Sequence, residues 1–271
     1  MREKAIAQLR VAPGSSARLD RRDPADKLGL SDKVKAEAEA ATLFAEFDDL
    51  HNRLWAEATR SVLLVLQGMD TSGKDGTIRR VLSGLNPQGC EVTSFKAPSE
   101  TERAHEYLWR VHAVCPARGK LGVFNRSHYE DVLAARVLGI VDADECRRRF
   151  RQIVEWERML TEEGTTLVKV CLHLSKDEQR KRLEERLHDP KKQWKFKVED
   201  LDTRKHWADY QAAYEESITA TSSAQAPWYV VPADRKWVRD VAVVTLLVAT
   251  FRQLDPQIPP PDPRLENVAV D

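Results

Sequence analysis

Residues 61–77 read SVLLVLQGMDTSGKDGT. The first seven, Ser61 to Gln67, form a continuous apolar run that is too short for a buried helix. It is apolar on both alternating faces, as a central strand of a parallel sheet covered on both sides must be. A glycine loop follows at once, in which Gly68, Gly73 and Lys74 keep the G-x-x-x-x-G-K spacing of a phosphate cradle. That spacing is weak alone, since a plain glycine turn between strand and helix would show it too. Its context strengthens it: a strand feeds the loop and a helix leaves it, so backbone N–H groups and the positive helix end face one point. The expected phosphate contacts are Gly68, Ser72, Gly73, Lys74, Asp75 and Gly76. Two carboxylates set the loop apart. Asp75 stands where such loops place a Ser or Thr for Mg²⁺, and Asp70 lies inside the loop.

Beyond the loop, strand-like and helix-like segments alternate. Cys90–Phe95, Gly119–Asn125, Thr165–Leu174 and Trp228–Val231 read as further strands. Asp75–Leu85, Glu100–Val114, YEDVLAARVLG, Asp142–Glu163, SKDEQRKRLEER and Arg235–Leu254 read as helices, with Ser175 and Glu178 at capping-box spacing. An amphipathic helix from Asp32 precedes the first strand. The alternation predicts an α/β fold, a five-stranded parallel sheet with helices on both faces. Residues 1–30, with Pro13, Gly14, Pro24 and many charges, read as an extended arm, 31–255 as the domain, and 256–271 as a proline-rich tail.

Composition narrows the partners. Lys plus Arg equals Asp plus Glu at 43 each in 271 residues, so no global field draws in nucleic acid or an anionic membrane. The longest apolar run, Val241 to Ala249, falls far short of the ~20 residues a membrane span needs. The N-terminus, MREKAIAQLR, lacks the apolar core of a signal peptide. Cys90, Cys115, Cys146 and Cys171 are scattered without a C-x-x-C pair and read as core thiols, so the expected location is the reducing cytoplasm.

Two more stretches carry chemistry. FNRSHYEDVL, residues 124–133, ends the third strand, where open α/β sheets gather ligand contacts. Arg126 suits a bidentate hold on phosphate, and Glu130 and Asp131 suit metal binding or proton transfer. A surface Arg–Glu pair at a helix start would look the same. RLEERLHDPKKQWKFK, residues 182–197, puts Arg182 and Arg186 on one helix face and crowds Lys191, Lys192, Lys195 and Lys197 around Trp194. A solvated charged face is the plain reading, and a basic flap for a long polyanion the functional one.

GMDTSGKDGTIRRVLSGLNPQG, FKAPS, LWRVH, FNRSHYEDVL and KKQWKF with Asp200 behind it occur in that order. Together they resemble the polyphosphate kinase 2 family across nearly the whole chain. The resemblance implies a three-layer P-loop kinase fold akin to thymidylate kinase, with a helical lid at about residues 182–205. It implies Mg²⁺, with Mn²⁺ as a substitute, and phosphoryl transfer between inorganic polyphosphate and adenine nucleotides, with guanine nucleotides as further candidates, in a homo-oligomer (dimer or tetramer). Catalytic roles then fall to Asp70, Lys74, Arg126, Asp131, Arg182 and Arg186. Nucleotide contacts fall to Lys96, Asn125, Arg126 and Glu130, polyphosphate contacts to Lys191, Lys192 and Lys195, and metal ligation to Asp70, Asp131 and Asp200. Many members place Asp-Arg-Ser-Trp-Tyr where this chain has Asn125-Arg126-Ser127-His128-Tyr129. The form found here, followed by Glu130-Asp131, resembles the branch acting on both nucleoside monophosphates and diphosphates, and Asp131 is the expected replacement for the acid missing at 125.

Two other functions compete. An ATP-dependent nucleoside monophosphate kinase is opposed by Asp75. A non-catalytic polyphosphate- or RNA-binding protein is opposed by the intact Lys74, Arg126 and acid pair, because binding alone needs no carboxylates beside a phosphate. Carboxylates there suit a metal held between protein and polyanion. Without metal, Asp70 repels the substrate.

Overall fold

The computed structural model describes residues 3–268. Strands β1 (Ser61–Gln67), β2 (Cys90–Ser94), β3 (Leu121–Asn125), β4 (Thr165–His173) and β5 (Trp228–Pro232) form one parallel sheet in the order β2-β3-β1-β4-β5. The helices, in chain order, are α1 (Glu3–Leu9), α2 (Lys33–Glu57), α3 (Lys74–Val81), α4 (Glu100–Arg103), α5 (Trp109–His112), α6 (Ala134–Val137), α7 (Ala143–Glu162), α8 (Lys176–His188), α9 (Glu199–Lys205), α10 (Trp207–Thr221) and α11 (Lys236–Leu254).

The unbroken apolar run of β1 now has its reason. Val62, Leu64 and Leu66 face a core shared with α2, α3 and α11, while Leu63 and Val65 face a second core shared with α7 and α10. Each such side chain, fully buried, contributes roughly 1.5–3 kcal/mol, so this strand ties the two helical layers together. The apolar stretch of α11 packs against α2 and the sheet. Among the described residues, no helix is long and apolar enough to cross a membrane. The four cysteines are unpaired, and burial raises the thiol pKa of Cys90 to about 11 and of Cys171 to about 12.

Several expectations change. The helix expected over Glu100–Val114 is two short ones, because the Glu106 carboxylate turns onto the Leu108 N–H at 2.7 Å and competes with the helical ladder. YEDVLAARVLG begins instead as a 3₁₀ turn over His128–Asp131, before α6. Helices α9 and α10 lacked a sequence signal: the buried positions of α10 are Ala213, Tyr214, Ser217, Ile218 and Thr221, a mixed face without a clear apolar period. The capping box at Ser175 is half made. Its hydroxyl accepts the Glu178 N–H at 3.1 Å, but its own N–H goes to Asp234 at 2.8 Å and the Glu178 carboxylate to Arg182. The arm expected to be extended opens with α1 and is docked. Val11 N–H donates to the Trp228 carbonyl at 2.8 Å, and Glu215 of α10 accepts the N–H groups of Arg18 and Leu19, each at 2.8 Å. The outermost ends of the expected arm and tail, residues 1–2 and 269–271, lie outside the described residues.

Candidate active site

Register brings the chemistry together. Leu66 pairs with Asn125 across β1 and β3, and Gln67 with Cys171 across β1 and β4, so the loops leaving β1 and β3 stand side by side at the carboxyl end of the sheet. Gly68 turns the chain at φ 148°, and a Cβ there would meet the Leu172 carbonyl oxygen at 2.8 Å. Ser72 N–H closes the loop on the Met69 carbonyl at 3.0 Å, and Thr77 N–H opens the α3 ladder on Gly73 at 2.9 Å. The amides of Lys74, Asp75 and Gly76 precede that ladder and belong to the unpaired first turn, which suits an anion. The Lys74 ammonium lies across the loop, donating to the carbonyls of Gly68 (2.7 Å) and Met69 (3.3 Å). Burial first, and then the neighbouring Arg126, push its pKa down, opposed by Asp70, Glu130 and Asp75. The hydroxyls of Thr71 and Ser72 are buried without a partner among the described residues.

Arg126 is held in an unfavourable backbone state. Its φ of 63° is left-handed for a residue with a Cβ, at a cost of roughly 1–2 kcal/mol, and its N–H is anchored to the Leu66 carbonyl at 3.1 Å. The guanidinium donates to Asp70 Oδ1 at 2.7 Å and sits 3.8 Å from Glu130 Oε2. Burial alone would lower its pKa, but Glu130 and then Asp70 outweigh burial and raise it. For Glu130 burial dominates, so its carboxyl is raised despite Arg126 and Lys74. Asn125 Nδ2 donates to Asp75 Oδ1 at 2.7 Å. The departure at 125 and the departure at 75 are therefore one contact: an Asp at 125 would set two carboxylates against each other, whereas the amide supplies a donor.

A cleft of about 1090 Å³ opens from Arg126, Glu130 and Asp131 past Lys96 and Tyr107 to the apolar Leu138. Its wall holds a residue the sequence reading missed. Arg110 is 8% exposed. It donates to the Lys96 carbonyl at 2.9 Å and to Asp131 Oδ2 at 3.3 Å, and its guanidinium lies over the Phe95 ring at 5.6 Å. Its signal was a lone arginine among Leu108, Trp109 and Val111 in LWRVH. Burial raises the Asp131 carboxyl, with Arg110 the main opposing influence.

The expected three-acid metal set needs correction. Asp200 of α9 is buried, and burial first and the nearby Asp70 charge second push its carboxyl up; Arg186 stands 3.6 Å from Asp200. Asp131 answers to Arg110 instead, because the 3₁₀ turn after β3 directs it to the cleft wall. Among the described residues no three His, Cys, Asp or Glu side chains converge as metal ligands. Asp70 and Asp200 alone still fit Mg²⁺, which is commonly held by one or two carboxylates with water and substrate phosphate completing the shell.

The lid residues also sort differently from expectation. Arg182 is a correction: its guanidinium is occupied by Glu178 and by the carbonyls of Thr71, Ser72, Ala233 and Asp234, which makes it a brace behind the loop, not a group facing substrate. Lys192 pairs with Glu185 and with Asp189, so part of the basic stretch is neutralised by acids on α8 and at its end. Lys195 lies 4.9 Å over the Trp194 ring, and the Lys191 N–H donates to the Asp189 carboxylate at 3.0 Å.

Behind Arg126 lies a buried polar knot. The Lys169 ammonium donates to Glu157 Oε2 (2.6 Å), the Thr221 carbonyl (2.8 Å) and the Tyr129 hydroxyl (3.1 Å), and Tyr129 donates to Glu157 Oε1 at 2.8 Å. Lys169, with His128 beside it, holds the Glu157 carboxyl low against the effect of burial. Burial pushes the His128 imidazole down, opposed chiefly by Glu157. The knot fixes the turn that presents Arg126.

A family model described as polyphosphate kinase 2 (PPK2) matches residues 30–259. The chain is 48% identical over 267 residues to the AMP/ADP-polyphosphate phosphotransferase of Meiothermus ruber, covering 98% of this chain and 100% of that one. It is 45% identical over 234 residues to the ADP-polyphosphate phosphotransferase of Rhodopseudomonas palustris, covering 82% and 81%. Its fold superposes on the crystal structure of polyphosphate kinase 2 from Arthrobacter aurescens TC1 with a TM-score of 0.92 at 44% identity, over 95% of this chain and 92% of that one.

Proposed function

The chain belongs to the polyphosphate kinase 2 family and is a polyphosphate-dependent nucleotide phosphotransferase, and we propose that it phosphorylates both AMP and ADP. The observation that carries this reading is the position of Arg126, between the glycine loop with Asp70 on one side and the 1090 Å³ cleft on the other. The loop amides and Lys74 bind the terminal phosphates of polyphosphate. The cleft takes the nucleotide, its apolar end the base and its inner end the phosphate. Arg126, at their junction, balances charge on the phosphoryl group in flight. No general base is required, because the acceptor's own phosphate is largely ionised near neutral pH. Asp131 therefore serves to orient Arg110 and needs to carry no proton. Asp70 and Asp200 are the residues that would hold Mg²⁺. When bound, the ion supplies charge neutralisation between carboxylate and polyphosphate. Guanine nucleotides as acceptors and a homo-oligomeric assembly belong to the same proposal.

Incubation of purified protein with AMP, Mg²⁺ and long polyphosphate, resolved by chromatography, is expected to show ADP and then ATP. Reaction of AMP with ATP but not with polyphosphate would favour an ordinary nucleotide kinase instead.

A further inference from the structure

The glycine loop rests on two buried guanidiniums. Arg182 of α8 donates to the carbonyls of Thr71 at 2.9 Å and Ser72 at 3.3 Å, and Arg239 of α11 reaches the Ser72 carbonyl at 3.4 Å. Arg239 is 3% exposed and is gripped from its other edge by Asp240, whose Oδ1 accepts from Nε at 2.8 Å and from Nη2 at 2.7 Å. A trans peptide is planar, so a carbonyl and the N–H that follows it point in opposite directions. Holding the Ser72 carbonyl against the guanidiniums therefore aims the Gly73 N–H away from them, toward the loop's mouth.

Gly73 reports the same contact from its own side. A Cβ at Gly73 would fall 1.8 Å from Arg239 Nη1, and one at Gly76 would fall 3.4 Å from Nη2. The second glycine of the loop is thus required by the arginine beneath it as well as by its φ of 102°. A charge-assisted bond on a carbonyl also polarises its peptide and strengthens the N–H at the other end. A loop that carries Asp70 and Asp75 beside a polyanion has an electrostatic need for such support.

We propose that Arg239 is a positioning residue for the polyphosphate donor. It holds the Ser72–Gly73 peptide with its N–H toward the terminal phosphate and places a buried positive charge under it, while leaving the acceptor cleft untouched. This inference rests on the reading of the glycine loop as the donor site.

The test compares wild type with Arg239→Met and Arg239→Lys, measuring KM for polyphosphate and for AMP separately, together with the rise in Tm that polyphosphate produces. The Met variant is expected to raise the polyphosphate KM by ~10-fold or more and to lose most of the polyphosphate-induced Tm rise, with the AMP KM within ~2-fold. The Lys variant, which keeps the charge and a donor but not the fork, is expected to fall between them at ~3-fold. A Met variant with the wild-type polyphosphate KM, or one that loses both substrates equally, would overturn the proposal. If the Met variant does not fold, the Lys variant decides, and an unchanged polyphosphate KM there overturns it. A wild-type protein that makes no use of polyphosphate would overturn the donor-site reading itself, whatever the variants do.

Discussion

The guanidinium of Arg126 meets the carboxylate of Asp70 at 2.7 Å, across two loops whose residues stand 56 positions apart in the chain. The contact joins the acid inside the glycine loop to the arginine that ends β3. Each therefore fixes the position of the other before any substrate arrives.

For Asp70→Asn, which keeps the shape and removes the charge, turnover is expected to fall by more than ~100-fold, a loss of at least ~2.7 kcal/mol of transition-state stabilisation. Arg126 keeps Glu130 as a partner, so folding should change little. Polyphosphate affinity measured with a chelator should hold or improve, because a repelling charge has gone. Near-normal turnover with Mg²⁺ would take this acid out of the mechanism.

Arg110→Ala removes the main positive neighbour of Asp131 on the cleft wall. The acceptor KM is expected to rise by ~10-fold or more, with the polyphosphate KM little changed. Initial rates with each substrate varied in turn check it, and an equal rise in both would place Arg110 outside the acceptor site.

The Lys169–Glu157 pair is fully buried. Removing one charge, by Lys169→Met or Glu157→Gln, leaves the other uncompensated and is expected to cost ~3–5 kcal/mol of stability. The double variant should lose less than the sum of the two. Urea unfolding of the three proteins measures the coupling, and simple additivity would mean that the pair does not act as one.

Glu57 gives a pH dependence with a definite sign. Hydrogen bonds from Arg60 first, and also from Thr59 and the Gln257 N–H, hold its carboxyl at about 2, against an ordinary 4.5. A depressed folded pKa contributes stability that is fully present above pH 4.5 and is lost as pH falls toward about 2. Glu57→Gln is therefore expected to lower stability at neutral pH, by up to about 2 kcal/mol. It should also flatten the acid loss of stability within that window. Thermal melts at a series of pH values test this, and parallel curves for the two proteins would contradict it.

Much of this protein was legible along the chain. The strand Ser61–Gln67, the glycine loop after it, the helix starts near Asp32 and Asp142, the cap at Ser175, and the candidacy of Asp70, Lys74 and Arg126 all follow from short-range patterns. Periodicity, capping and loop glycines act through neighbours within a few residues, so they are written in local order. Other features depended on where distant segments meet. The pairing of Asn125 with Asp75 follows from the register of β1 against β3, and the separation of Asp131 from Asp200 from a 3₁₀ turn and a late helix. Arg182 became a brace, and Arg239 came to lie beneath Gly73, because α8 and α11 pack behind the loop. Residue type and spacing say what a side chain is able to do. Its partner is decided by strand register and helix packing, which bring together groups more than a hundred residues apart, and no local pattern encodes that distance.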